Sequence, residues 1–449
     1  MGYVVKSKAR YRNDNTGREV LLPVLLTEQG ILLSHLRFMA SIHRSESWRE
    51  RLTYALMLLL KFIHANQDAI TDPVRMLEAF SAALYEGTVN PSDLSDPSGL
   101  FWQARNWNDA NNLLSLITLY TDWLTRQEHH CGNLVNPYRV ASNYEERMNW
   151  CAYYHQKLRV FLPHTVTTDD VKERMSRMRV VSGRRIPQYN MEEVKKFPED
   201  KIQILLDGGF VSTRVYNCGE DVHKDYKSIL ITMLLHWGGV RKSEALSIYL
   251  EDVFLDSQKQ EAIVRIYHPS IGRSPDDRYV TRKQYLAQRF MLKPRNEYRK
   301  TERLHLGWKA PALDNRENYF VVQFYPPSKA VEFNYVLQKY LKYQRMKPPA
   351  AADHPYLFTN MQGHPETLKN YQRLHRAAVI RVGLTHEKYH GTTEHGHRHA
   401  YGYRLAEHGL TNIDIQKAMH HKSPDSCLVY TQPTNKELRE KMEIVNDYR

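Results

Sequence analysis

The sequence predicts a mainly α-helical chain with a small antiparallel β-sheet, divided into a helical N-terminal part and an α+β C-terminal part. Three observations predict it. Apolar residues recur at helical spacing from about residue 27 to 160. Three β-leaning runs, "EAIVRIY", "RLHLGW" and "NYFVVQFY", follow one another between residues 261 and 325. Helical patterns resume after Pro326-Pro327. At 449 residues, 42% of them hydrophobic, the chain is long enough for two or three domains with cores of their own.

Taken in order, residues 1–26 are expected to form an N-terminal hairpin arm, with "YVVKSKARY" and "REVLLPVLL" joined by the turn-forming "NDNTG". Residues 27–165 are expected to form a helical domain. There "SWRERLTYALMLLLKFIHAN" places Leu52, Leu56, Leu59, Leu60 and Ile63 at helical spacing, and "NDANNLLSLITLYTDWLTRQ" repeats the pattern with Asn108 or Asp109 as cap. Such stripes read as core and not as a ligand site. The segment "VKERMSRMRVVSGRRIPQYN" mixes Arg, Ser, Gly and Pro and reads as a basic linker over 166–187, either a solvated loop or a phosphate contact. A second domain is expected over 188–435. It opens with the helical "MEEVKKFPEDKIQILLDGG", continues with the apolar helix "SILITMLLHWGGV" ending near Gly238-Gly239, and carries a polar insertion at about 268–300. The charged tail 436–449 reads either as a solvated helix or as a segment that docks on a neighbouring copy.

Composition narrows the function classes. A formal charge of +13 favours a polyanionic partner, because each neutralised phosphate releases counterions. A basic surface with no such role is the alternative. Four cysteines at 131, 151, 218 and 427 form no CxxC pair, so neither a disulfide framework nor a cysteine zinc site is expected, and a reducing cytoplasm fits. The start "MGYVVKSKAR" is not a signal peptide, and Lys6 replaces the Ser or Thr of a myristoylation start. The most apolar stretch, "YALMLLLKFI", is broken by Lys61 and reads as a buried helix, so no membrane association is expected.

The chemistry-bearing residues fall in a fixed order. Arg241 lies in "LLHWGGVRKSEAL"; His395, Arg398, His421 and Tyr430 follow in the last quarter. Metal-free cleavage of a phosphodiester needs an in-line nucleophile, a cradle for the charge growing on the non-bridging oxygens, and a proton for the departing 5′ oxygen. Arginine's planar fork suits the cradle, histidine suits proton handling near neutral pH, and tyrosine forms a phosphate ester that stores the bond for rejoining. His395 and Arg398, three apart, share a face of a helix read from Glu394 to His408 and closed by Gly409. Ser423 and Pro424 open another helix, with Tyr430 two turns in. Taken singly, Arg241 reads as a surface arginine and Tyr430 as one of 29 tyrosines; their register with the other residues singles them out.

The stretches "GVRKSEAL", "HGHRHAYGYRLAEHG" and "AMHHKSPDSCLVYTQ" resemble the tyrosine recombinase, or phage-type integrase, family. "NLLSLITLYTDWL" and "HPYLFTNMQGHP" extend the resemblance over most of residues 25–435. It implies a helical core-binding domain and an α+β catalytic domain that clamp duplex DNA from opposite faces. It implies Arg241 and Arg398 as phosphate-clamping arginines, His395 and His421 as the two histidines, Tyr430 as nucleophile and Glu244 as the supporting acid. The family's lysine sits in a β-hairpin; Lys309 is assigned that role, with Lys293 and Lys300 as rivals. The implied reaction passes through a 3′-phosphotyrosyl link, and the implied partners are a double-stranded recombination site, a homo-tetramer on DNA and accessory proteins. No cofactor is implied. A mobile-element integrase is favoured over a chromosome-dimer resolvase.

Two departures stand out. Met419-His420 replaces the usual Leu-Gly before the second histidine, so His420 competes with His421, and His397 replaces an apolar residue between His395 and Arg398. His395 and His399 have a zinc-compatible i, i+4 spacing, but no HExxH or completing carboxylate accompanies them, and no metal is expected. A type IB topoisomerase, which relaxes arbitrary DNA, and a DNA-binding regulator without cleavage are the alternative functions.

Overall fold

The computed structural model describes the chain except for residues 1–2, 13–18, 43, 128–133, 158–166, 185–193, 213–222, 432–438 and 440–449. The expected "NDNTG" turn and almost all of the C-terminal tail lie outside the described residues. Two compact units emerge, residues 1–188 and 189–449. Both are mainly helical with small antiparallel sheets.

In the first unit β1 (Val5–Arg12) pairs antiparallel with β2 (Glu19–Thr27), which pairs with the short β3 (Gly30–Ile31). This hairpin is not a free arm. Four consecutive residues of β2, 22–25, are buried, so the strand is covered on both faces, and Leu22 and Leu25 join one core with Phe38, Leu52 and Phe80. The helices are α1 (Leu33–Ser41), α2 (Glu46–Asn66), α3 (Pro73–Glu86) and α4 (Trp107–Leu124). In α2, Leu52, Leu56 and Leu59 are buried, the expected stripe. The cap of α4 is Asn106, two residues before the expected Asn108, because its side chain accepts the Asn108 N–H at 2.9 Å.

The segment expected as a linker is largely folded. After β4 (Tyr138–Val140) and α5 (Asn143–Lys157), a reciprocal capping box between Thr167 and Asp170 starts α6 (Thr168–Met175). β5 (Arg177–Arg179) then pairs with β4. Val181 joins the first unit's core, and the buried Asn136 holds both its N–H, at 3.0 Å, and its carbonyl, at 2.8 Å. The Arg179 guanidinium lies 3.8 Å from the centre of the Tyr138 ring and packs there, while Lys172, Arg174, Arg177 and Arg184 are exposed.

The second unit opens with tight turns around α7 (Ile202–Ile204) and is built on α8 (Tyr226–His236), every residue of which is buried. A helix apolar on all sides belongs in a core, and α8 is covered by α11 (Ser328–Lys339), α12 (Leu368–Arg381) and α13 (Glu394–Glu407). The sheet is β6 (Val253–Asp256), β7 (Glu261–Tyr267) and β8 (Tyr319–Val321), all antiparallel. The expected strand "RLHLGW" is not one: Leu306 is buried in a loop whose carbonyl and amide groups are taken by Arg295, through Leu304 O at 3.1 Å and Leu306 N at 2.9 Å.

Residues 268–300, expected as a polar insertion, also pack into the unit. They contain α10 (Arg282–Phe290) and two arginines only 1% exposed. Arg282 pairs with the buried Asp252 and sits 4.1 Å from the ring centres of both Tyr249 and Tyr267. Arg295 donates to the carbonyls of Leu246 at 2.7 Å and Glu366 at 2.8 Å. These charges are tolerated because every one is paired or bonded. Three short helices complete the unit: α9 (Lys242–Ala245), α14 (Asn412–Ala418) and α15 (Leu428–Thr431). Among the described residues no helix is long and apolar enough to cross a membrane.

Candidate active site

The site is assembled where three chain turns meet the open face of α13. The first follows α8. Gly239 turns the backbone at φ +63°, and a Cβ there would collide with the Tyr401 ring. The turn delivers Arg241 to the start of α9. Glu244, 1% exposed, accepts the Arg241 backbone N–H and its Nη1, each at 2.8 Å, which fixes the guanidinium in one orientation.

Arg398 comes from α13. Its Nη1 donates to Gly239 O and its Nη2 donates to Met419 O at 2.7 Å, so two backbone carbonyls from different turns aim the fork. Burial, then the nearby charge of Arg241, lowers Arg398 to about 10, which leaves it a cation at neutral pH. Two like charges held this close await an anion.

The third turn closes α14. Its end is a Schellman motif: His420 N–H donates to Lys417 O at 3.1 Å and His421 N–H donates to Gln416 O at 2.9 Å. His420 occupies the left-handed position of that motif at φ +54°, which explains why its place suits glycine. Its ring packs on Phe320, 4.0 Å between centroids, while His421 lies parallel to the Tyr430 ring, 6.4 Å away and tilted by 14°. Of the two competing histidines, His421 is the one beside Tyr430. Burial, then the charges of Arg398 and Arg241, lowers His421 to about 3.

Ser423 accepts the Asp425 N–H at 3.3 Å and Pro424 opens a short 3-10 turn that leads into α15, as the sequence suggests. Tyr430, 6% exposed, packs across Gly402, where a Cβ would strike the ring. Burial raises its phenol to about 12 against the pull of Arg398 and Arg241. The phenol is therefore protonated, and it hydrogen-bonds with His399 Nδ1 at 3.1 Å. Burial, then the charges of His395 and Arg398, lowers His399 to about 3, so this imidazole is neutral, and in the tautomer protonated on Nε2 its Nδ1 accepts from the phenol.

His399 is the residue that sequence reasoning missed. The i, i+4 spacing from His395 is visible only as a zinc-compatible pair, which the missing carboxylate argues against, whereas the two rings meet edge to face at 4.4 Å and His399 bonds Tyr430. His395 itself is exposed. Burial of its inner edge, then the charges of Arg398, Lys309, Lys242 and Arg241, lowers it to about 4. Solvent at the open edge weakens that shift without changing its direction.

Lys309 lies in the excursion between β7 and β8, on no strand itself, and is one of the four cations that hold His395 down; Lys293 and Lys300 are not among them. His397 faces inward, stacked on Phe197 at 4.1 Å and bonded to His375 and His236. The open face thus presents fixed cations, neutral imidazoles and a phenol, with its carboxylate Glu244 turned onto Arg241. Such a surface suits a phosphodiester with a hydroxyl group beside it.

Residues 213–437 match the sequence profile of the Phage integrase family. The chain has no match among curated proteins. It is similar to the crystal structure of XerA recombinase, with 15% identity and a TM-score of 0.34, covering 93% of this chain and 97% of that one. It is also similar to the Tn1549 transposon integrase, residues 82–397, in complex with circular intermediate DNA (14%, TM-score 0.39, 92% and 97%). A third similarity is to XerH recombinase bound to a palindromic difH substrate (14%, TM-score 0.39, 87% and 97%). With those TM-scores below 0.5, family membership rests on the matched sequence.

Proposed function

The chain belongs to the phage integrase family and is a tyrosine-type DNA strand transferase, a site-specific recombinase; from that premise we propose that Tyr430 is its nucleophile and that Arg241, Arg398, His395, His421 and Lys309 form the site around the scissile phosphate. The Tyr430 oxygen attacks phosphorus and the bond to the 5′ oxygen breaks, giving a 3′-phosphotyrosyl link and a free 5′ hydroxyl. Arg241 and Arg398 hold the non-bridging oxygens, whose charge replaces the mutual repulsion of the two guanidiniums with two bidentate contacts. The phenol's proton leaves through His399, which it already faces, once the bound phosphate neutralises the charge of Arg398 that holds this imidazole down. Lys309, beside His395, supplies the proton that the departing 5′ oxygen takes up. His421 donates to the phosphate as a neutral imidazole. A 5′ hydroxyl from a partner duplex then reverses the step. The exchange of one phosphodiester for another needs no ATP.

The observation that carries this reading is the Tyr430 hydroxyl bonded to a neutral imidazole at 3.1 Å while feeling the charges of both Arg398 and Arg241. We further propose assembly of four copies on two duplexes, cytoplasmic action, and a role in moving a mobile element, with which the family match is consistent.

The test is a nicked suicide duplex drawn from the DNA flanking the chain's own gene. Wild type is expected to give a denaturation-resistant protein–DNA adduct, and Tyr430→Phe none. Tight specific binding without an adduct overturns the strand-transfer assignment of Tyr430 and favours a regulator. Relaxation of supercoiled DNA lacking any such site favours topoisomerase action.

A further inference from the structure

The inner side of α13 carries a second cluster that the cleavage chemistry does not use. Glu394, the first residue of the helix and the neighbour of His395, faces His375 of α12 and His386 of the loop between α12 and α13. We propose that His375, His386 and Glu394 bind one divalent metal ion of the zinc class, which fixes the first turn of α13.

The argument begins with two orphaned nitrogens. His375 Nδ1, on a ring with no exposure, and the buried His386 Nε2 have no hydrogen-bond partner. Both approach Glu394 Oε1, at 3.8 and 3.6 Å. Those separations are too long for hydrogen bonds. They suit atoms that share a cation: two ligands at zinc–nitrogen and zinc–oxygen distances around a tetrahedral centre stand about 3.4 Å apart. All three ligand atoms lie within 4.8 Å of one another, and His386, carried on a loop, has the freedom to close the remainder.

The surroundings fit as well. Glu394 Oε2 is held by Lys242 Nζ at 3.0 Å, which orients the carboxylate and leaves Oε1 for the ion. His375 Nε2 meets His397 Nε2 at 2.9 Å, His397 Nδ1 meets His236 Nδ1 at 3.2 Å, and His236 Nε2 meets Glu199 Oε2 at 3.2 Å. With a metal on His375 Nδ1, its Nε2–H donates to His397 Nε2, the outer support that a metal-bound imidazole needs. Two imidazoles and one carboxylate favour zinc or its transition-metal neighbours over magnesium or calcium. The protein supplies three ligands among the described residues, so water takes the fourth place. Same-helix motifs do not reveal such a site, because its ligands come from three separate stretches of chain.

The full chain, purified by a tag without histidines, is assayed for bound metal by mass spectrometry and titrated with Zn²⁺ and Co²⁺. Wild type is expected to hold about one Zn²⁺ per chain, to develop visible d–d bands with Co²⁺, and to melt at lower temperature after treatment with phenanthroline. His386→Ala removes a ligand from a loop and not from the core; it is expected to fold, to bind Zn²⁺ at least 10-fold more weakly, and to melt at a temperature that phenanthroline no longer moves. Background metal in wild type with no response to Zn²⁺ or Co²⁺ overturns the proposal, and so does full metal retention in His386→Ala. Metal content is read without DNA, so its failure is separate from failure of the strand-transfer reading.

Discussion

A phenol held near 12 is a poor nucleophile at neutral pH, so what removes its proton decides how fast Tyr430 attacks. The bond from Tyr430 to His399 makes His399 the nearest acceptor. His399→Ala is expected to slow adduct formation by about 10²-fold, the lower end of the range for general base assistance, while DNA affinity stays within about twofold. Single-turnover cleavage at saturating protein separates the two effects, and an unchanged rate removes His399 from the reaction. At this scale most of the candidate site was legible. Arg398, His421 and Tyr430 are fixed by local register, and the Schellman turn that aims His421 follows from the chain itself. His399 was hidden by a plausible competing pattern, since i, i+4 spacing marks neighbours without saying which outside group they meet. His375, His386 and Glu394 were hidden because only the packing of α12 on its following loop and α13 brings them together.

Among elements, the apolar ones were legible and the charged ones were not. α2, α8 and α13 follow from periodicity or from unbroken apolar sequence. The polar composition of residues 268–300 hides their packing because arginine is normally exposed, yet Arg282 and Arg295 are among the most buried large side chains. "RLHLGW" alternates like a strand, but Arg295 claims its backbone groups, and the exposed "VFLD" of β6 pairs with β7 instead. The same pattern gives a prediction. Asp252 pairs with Arg282 where each side chain is 2% exposed, so Asp252→Ala leaves a buried guanidinium unpaired. We expect a loss of about 3–5 kcal/mol, seen as a lower urea midpoint for the second unit. A loss under about 1 kcal/mol means that water reaches Arg282 and that α10 is a loosely attached insertion after all.

At the scale of the molecule, the two units differ in what acid does to them. Buried imidazoles refuse protons that the unfolded chain accepts at its ordinary value of about 6.5. In the second unit, burial lowers His420 and His421 to about 3 and also lowers His236 and His397. In the first unit His35, lowered by burial to about 4, is the buried histidine among the described residues. For each such group the folded state favours the neutral form. Its contribution is therefore fully present above about pH 6.5 and is lost as pH falls toward the folded value. Carboxylates held below their usual range by ion pairs, such as Glu199 and Glu366, add to the loss only below about pH 4.5. Between pH 6.5 and 4.5 the histidines dominate, and each fully differential proton costs about 1.4 kcal/mol per pH unit. His236 and His397 are bonded to each other, so these four residues alone separate folded from unfolded by about two to three protons, to which His375, His395 and His399 add, against one in the first unit. Urea unfolding followed by hydrogen exchange at pH 7, 6 and 5 reads the units separately. The midpoint of residues 189–449 is expected to fall at least twice as steeply with pH as that of residues 1–188. Parallel slopes would mean that the inner histidines carry protons in the folded chain.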